Sequence, residues 1–134
     1  MAKFPSPEWV QAAGEKFNSD ERYAQIAKNW EGDIRFIVEA AGALDKTTWF
    51  YLDLWHGKCR AAYIEEPNSQ NRPAFTLKTT YENAVKVLNG ELDPMQAMLT
   101  RKLNIHGNMA VMMRSIPTVL DFVRCCREIT DSFL

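Results

Sequence analysis

A mixed α/β fold of the α+β kind, with five strands and helices packed on their sheet, is what three features of the sequence predict. Apolar residues alternate at period two in five short stretches, 34–39, 47–55, 59–64, 74–78 and 103–106, each bounded by turn residues. Helical spacing frames these stretches on both sides, and capping residues mark the helix starts. The chain has 134 residues, 46% of them hydrophobic and 25% charged, which suits one domain with its own core.

Taken in order, Ser6 caps a helix over 7–17 with Pro7 in its first turn, where a missing N–H is harmless. A second helix, capped near Asn18 or Ser19 and acidic at Asp20 and Glu21, turns Tyr23, Ile26, Ala27 and Trp30 inward and stops at Gly32-Asp33. These helices fill 1–31. In the first strand Ile34, Phe36 and Val38 form the buried face. The stretches 47–55 and 59–64, rich in β-branched and aromatic residues, turn back on each other at His56-Gly57-Lys58 and read as consecutive antiparallel strands.

A polar loop with two prolines leads to the fourth strand. Thr79 and Glu82 have the spacing of a capping box, after which Tyr81, Ala84, Val85 and Leu88 recur at helical period until Asn89-Gly90. Asp93-Pro94 opens a short helix through Met95, Met98 and Leu99. After the fifth strand a helix runs from Asn108 to Ser115, Pro117 interrupts it, and a C-terminal helix occupies 117–134. Residues 1–134 form a single domain, with no internal repeat or linker.

Composition removes several function classes. Sixteen Lys and Arg against seventeen Asp and Glu give a net charge of −1, so the chain offers no general field to nucleic acid. Its longest apolar runs, such as Met109 to Met113, fall far short of the roughly 18 residues of a membrane span. The opening Met1-Ala2-Lys3-Phe4-Pro5 has prolines where a secretory signal carries its apolar stretch. Three cysteines, with Cys125 and Cys126 adjacent, fit reduced thiols. A cytoplasmic protein is the expectation.

Catalytic and cofactor signatures are missing: the sequence has no G-x-G-x-x-G, G-x-x-x-x-G-K-[ST], G-x-S-x-G, H-E-x-x-H or C-x-x-C. His56 sits in a tight turn and His106 at a strand end, and no neighbouring residues complete a nucleophile–base pair for either. Asp53, between Leu52 and Leu54, is a general base if buried and an ordinary surface residue if it faces solvent with Tyr51. Cys125 and Cys126 lack partners at metal-ligand spacing. No metal or cofactor is expected.

One segment stands apart. Five of the six methionines, Met95, Met98, Met109, Met112 and Met113, lie between Pro94 and Leu120. Thioether side chains adapt to variable apolar shapes, although a methionine stripe at helical spacing is also what an ordinary core looks like. No acidic residue occurs between Asp93 and Asp121, whereas Arg101, Lys102 and Arg114 do. Grease with isolated cations suits an acyl chain that ends in a carboxylate, phosphate or lipid headgroup, and a solvated basic edge is the competing view.

The runs Phe75-Thr76-Leu77-Lys78-Thr79, Leu88-Asn89-Gly90-Glu91-Leu92-Asp93-Pro94-Met95-Gln96-Ala97 and Arg101-Lys102-Leu103-Asn104-Ile105-His106-Gly107-Asn108-Met109 resemble the sterol carrier protein two family. Their order and spacing match, as do Trp49 to Asp53 followed by Gly57-Lys58. The aromatic N-terminal part through Trp30-Glu31-Gly32-Asp33 is similar to stand-alone prokaryotic members. The resemblance covers residues 34–116 best. It implies a five-stranded, mostly antiparallel sheet with helices on one face that enclose an apolar tunnel, and a non-catalytic carrier of fatty acids, acyl-CoA, phospholipids or sterols.

Carried onto this sequence, the resemblance makes Leu77, Leu88, Met95, Leu103, Ile105, Met109 and Met112 candidate tunnel lining. Phe36, Leu52, Met98, Met113, Ile116 and Leu120 extend the set, and Arg101, Lys102 and Arg114 become headgroup contacts. The ending Asp131-Ser132-Phe133-Leu134 is unlike the Ser-Lys-Leu peroxisomal address of eukaryotic members. The chain also continues past Pro117 with a helix that either closes the tunnel mouth or fills the cavity. The expected partner is a lipid or acyl-CoA, with transient membrane contact, no nucleic acid, and a monomeric or homodimeric chain. The alternative is an accessory domain presenting a lipid-like substrate to an enzyme, and a third reading is a small hydrolase or isomerase using Asp53 or His106.

Overall fold

The computed structural model describes residues 2–134. Its elements are β1 (Ala2–Phe4), α1 (Pro7–Ser19), α2 (Glu21–Ile26), β2 (Glu31–Glu39), β3 (Thr48–Trp55), β4 (Lys58–Glu65), β5 (Phe75–Thr80), α3 (Tyr81–Leu88), α4 (Pro94–Leu99), β6 (Leu103–His106), α5 (Met109–Arg114), α6 (Ile116–Ile129) and β7 (Thr130–Phe133). Five strands make the main sheet in the order β4-β3-β2-β5-β6. Every pair is antiparallel except β2 with β5.

Alternation assigns the two faces. Ile34, Phe36 and Val38 of β2 share the inner face with Phe50, Leu52 and Leu54 of β3 and with Phe75, Leu77 and Thr79 of β5. Onto this face pack α1, through Trp9, Val10, Ala13 and Phe17, then α3 and α6. The outer face carries Asp33, Arg35, Tyr51, Asp53, Tyr63 and Glu65. There Arg35 donates two hydrogen bonds to Glu65 at 2.7 and 2.8 Å, and Ser69 and Asn71 of the following loop donate to the same carboxylate. Glu65, buried by that loop, is held below the usual carboxylate range, chiefly by the Arg35 guanidinium.

Three local expectations shift. The second helix is capped by Asp20 itself, whose carboxylate accepts from the Tyr23 amide at 2.9 Å, and it ends at Ile26 rather than near Trp30. Gly32 and Asp33 belong to the strand they were expected to precede. The cap of α3 is Thr80, which accepts from the Asn83 amide. Thr79 is one residue too early for that role because it still points to the inner face, where its hydroxyl donates to the Lys102 carbonyl at 2.8 Å. Asp93, Asn108 and Ser6 cap as their sequences suggest.

The helix expected over 117–134 stops at Ile129, and sequence periodicity missed β1 and β7, which pair in parallel as a separate small sheet joining the two ends of the described chain. Phe4 packs edge-on against Trp9 with centroids 4.8 Å apart, and its ring also meets Phe50, Tyr81 and Phe133. The Trp9 indole N–H donates to Thr130 Oγ1 at 2.8 Å, which ties α1 to the end of α6.

Candidate functional site

α6 lies across the inner face like a bar, and the side chains beneath it do not fill the space. Val119, Phe122, Val123 and Cys126, at the i, i+3, i+4, i+7 spacing of one helical face, roof an apolar cavity of about 50 Å³. Its floor is Phe36 and Leu77, directly opposite each other across the β2–β5 pair, with Thr79 and Leu103 opposite across β5–β6. Ala84, Val87 and Leu88 of α3 and Pro94 of α4 close the side.

A second hollow of about 30 Å³ lies further along the same helix, walled by Tyr23, Trp30, Ile34, Leu54, Met112 and Thr118. Leu77, Val119 and Phe122 line both hollows and so form the wall between them. Where the resemblance implies one continuous tunnel, the structure shows two small hollows. Sites for drug-sized ligands usually enclose about 300–1,000 Å³, so an acyl chain enters only if α6 moves or this wall gives way.

The cavity chemistry is that of a dry container. Three of the polar groups on its walls are engaged: Thr79 with the Lys102 carbonyl, Thr118 Oγ1 donating to the Ile26 carbonyl at 3.2 Å, and Trp30 Nε1 donating to the Gly32 carbonyl at 2.8 Å. Among the described residues no buried side-chain nitrogen or oxygen lacks a hydrogen-bond partner. Burial pushes the Cys126 thiol well above its ordinary pKa, which leaves it a small apolar group rather than a nucleophile.

Electrostatics matter on the polar side of α6. Arg124 reaches Asp20 at 2.8 Å, Asp121 at 2.7 Å and Glu128 at 2.9 Å, while Lys16 binds Asp20 and Glu128 at 3.1 and 2.9 Å. Asp20, Asp121 and Cys125 come close enough together to suggest a metal site. Both carboxylates are instead neutralised by Arg124, assisted by Lys16 at Asp20 and Arg22 at Asp121, so the cluster is an ionic staple between α6 and the α1–α2 junction. The Arg124 guanidinium, then the Tyr23 amide, hold the Asp20 carboxyl far below the usual range. Arg127 donates to the Leu88 and Val87 carbonyls at the end of α3. These contacts secure α6 from Asp121 onward, whereas Ser115 at its start makes no side-chain capping bond.

The residues singled out in the sequence divide into groups. Phe36, Leu77, Leu88 and Leu103 line the larger hollow, and Leu77 and Met112 the smaller. Leu52 is buried in the packed core outside both. Met98, Ile105, Leu103 and Met109 border an open cleft with Arg101 and Asn104. Met95 and Ile116 are half-buried away from the two hollows, and Met113 and Leu120 are exposed. Lys102 and Arg114 are also at the surface. The methionines at 109 and 113 face outward because Met112 takes the inward position on a helix of only six residues.

Ala84, Val87, Val119, Phe122 and Val123 were not foreseen as lining. Their only signal is their place on the apolar faces of α3 and α6, and an ordinary core gives the same signal. The catalytic candidates lie elsewhere. Asp53 is on the outer face, paired with Arg60 at 3.1 Å, and His106 is exposed at the end of β6. His56 Nε2 is 2.6 Å from Glu31 at the surface.

Comparison with known proteins agrees with this architecture. A family model described as the SCP-2 sterol transfer family matches residues 10–119. Among solved structures, one described as a crystal structure of sterol carrier protein 2 superposes with a TM-score of 0.86 at 27% identity, covering 96% of this chain and 100% of that one. A conserved hypothetical protein of Thermus thermophilus, described as possibly a sterol carrier protein, gives 0.83 at 28% identity, covering 94% and 89%. The sterol carrier protein 2 of Aedes aegypti, solved in complex with the C16 fatty acid palmitate, shares the fold at 0.56 and 15% identity, covering 88% and 93%. No curated protein matches the chain.

Proposed function

The chain belongs to the SCP-2 sterol transfer family, and on that premise we propose that it is a non-catalytic cytoplasmic carrier that holds one acyl or sterol-like chain between α6 and the sheet. The observation that carries this reading is the pair of dry hollows under one helix, separated by only Leu77, Val119 and Phe122. Joined, they make one apolar slot whose lining includes Trp30 from the smaller hollow and Pro94 from the larger. The palmitate complex of the mosquito relative supports a fatty acyl occupant.

The energetics are adequate. A 16-carbon chain burying roughly 400 Å² gains about 10 kcal/mol at 25 cal/mol per Å². Ordering the chain and displacing α6 reduce that to micromolar affinity. The helix can yield at its N-terminal end, which the Thr118–Ile26 bond at 3.2 Å ties to α2 and which the ionic staple and the Arg127 contacts do not reach. Phe36, Leu77, Leu88, Leu103 and Met112 act as lining. Lys102 takes the headgroup, since Thr79 of the cavity floor is bonded to its carbonyl.

Tryptophan emission tests the reading, because Trp30 is part of the smaller hollow. Titration with palmitate, palmitoyl-CoA and cholesterol should shift emission and raise the melting temperature, and Trp30→Phe should remove most of the optical change while keeping the thermal one. If none of these ligands alters either signal, and native mass spectrometry of the freshly purified protein finds no lipid, the carrier reading is wrong.

A further inference from the structure

We infer that the surface running from the end of α4 over α5 to the start of α6 docks the protein on an anionic lipid bilayer. Seven large apolar side chains are exposed among the described residues, and four of them, Leu99, Met109, Met113 and Leu120, fall within this one segment. Met109 and Met113 are one turn apart, and half-buried Ile116 and exposed Leu120 continue their stripe seven and eleven residues on from Met109. An open cleft of about 310 Å³ containing Met98, Arg101 and Met109 joins the stripe to the end of α4. Soluble proteins seldom leave such side chains together without an occupant.

Charge identifies the occupant. Arg101 and Arg114 are exposed, and neither forms an ion pair among the described residues. Elsewhere Lys16, Arg22, Arg35, Arg60, Lys78 and Arg124 are matched with acids, while Arg72 and lysines such as Lys46 and Lys58 are also without an acid among the described residues; what sets Arg101 and Arg114 apart is that they adjoin the exposed methionine and leucine side chains. The segment has no Asp or Glu between Asp93 and Asp121, in a chain whose net charge is −1. Unmatched guanidinium groups flanking methionine and leucine complement a surface that offers phosphate above and hydrocarbon below. Leu103 borders both the cleft and the larger hollow, so the docked face is one side chain from the proposed lipid compartment. The inference goes beyond the carrier reading and does not depend on it.

Vesicle flotation of the whole chain tests it, using vesicles of phosphatidylcholine with and without phosphatidylserine. The protein should float only with phosphatidylserine present, and less as salt rises. Arg101→Glu with Arg114→Glu should weaken partitioning by about 25-fold or more, taking about fivefold for each cation removed. Met109→Gln with Met113→Gln should weaken it with an unchanged melting temperature. Lys46→Glu with Lys58→Glu, exposed residues before β3 and at the first position of β4, should leave partitioning as it was. Failure to float with phosphatidylserine, or an equal loss in the Lys46 and Lys58 variant, overturns the inference. So does a dimer in light scattering that the methionine variant dissociates while flotation is unaffected. Palmitate titration without vesicles reads the carrier function separately, so either idea can fail alone.

Discussion

Replacing Ala84 with valine should make the protein more stable and a poorer lipid binder at the same time. Ala84 is buried on α3 with its methyl group against the larger hollow, which is about 50 Å³ and apolar. Valine adds two carbons that enter this space, for about 1.6 kcal/mol at 0.8 kcal/mol per buried methylene. A β-branched residue in a helix interior costs about 0.6 kcal/mol against alanine, so the net gain is about 1 kcal/mol. In a domain of this size that raises the melting temperature by about 4 °C. An acyl chain must expel the same two carbons, which weakens its affinity by roughly 15-fold. Differential scanning fluorimetry and palmitate titration read the two effects independently. A lower melting temperature with undiminished palmitate affinity would refute the reasoning, because the hollow would then be neither free space nor the ligand's seat.

The ionic staple, and the Arg35–Glu65 pair on the outer face, lead to two further predictions. Arg124→Leu leaves the buried Asp121 carboxylate with only the exposed Arg22 for a partner and should cost about 3 kcal/mol in urea denaturation. Asp20, Glu65 and Glu128 all have folded pKa values below their ordinary ones, through Arg124, Arg35 and Lys16 respectively. Their contribution is present above the unfolded carboxylate value of about 4 and disappears as pH falls below it. The urea midpoint should therefore be flat from pH 7 to about 5 and drop steeply below about 4, with a shallower acid limb in Arg124→Leu.

Much of this architecture was legible because it depends on local rules. Alternation at Ile34, Phe36 and Val38 assigned one face of β2, and Asp93-Pro94 placed the start of α4, with no knowledge of the rest of the molecule. The small β1–β7 sheet escaped because three or four residues are too few to show a period, and the partner strand lies at the far end of the chain. Thr79 and Thr80 are both good caps, and only the inner-face position of Thr79 decides between them. The site was harder to read than the fold. Composition pointed to the methionines, yet the hollows are bounded largely by valine, alanine, leucine and phenylalanine, which look like core in any sequence. An unfilled volume is a shortfall in packing among several elements, and no single residue records it.

In the proposed carrier, the wall made by Leu77, Val119 and Phe122 would act as a gauge of chain length. A short occupant can settle in one chamber and leave the partition standing. A long one must swing these side chains aside, and thereby loosens the helix that two of them belong to. Uptake of long lipids would then contain a unimolecular step whose rate saturates with lipid concentration, while short ones enter at rates that keep rising.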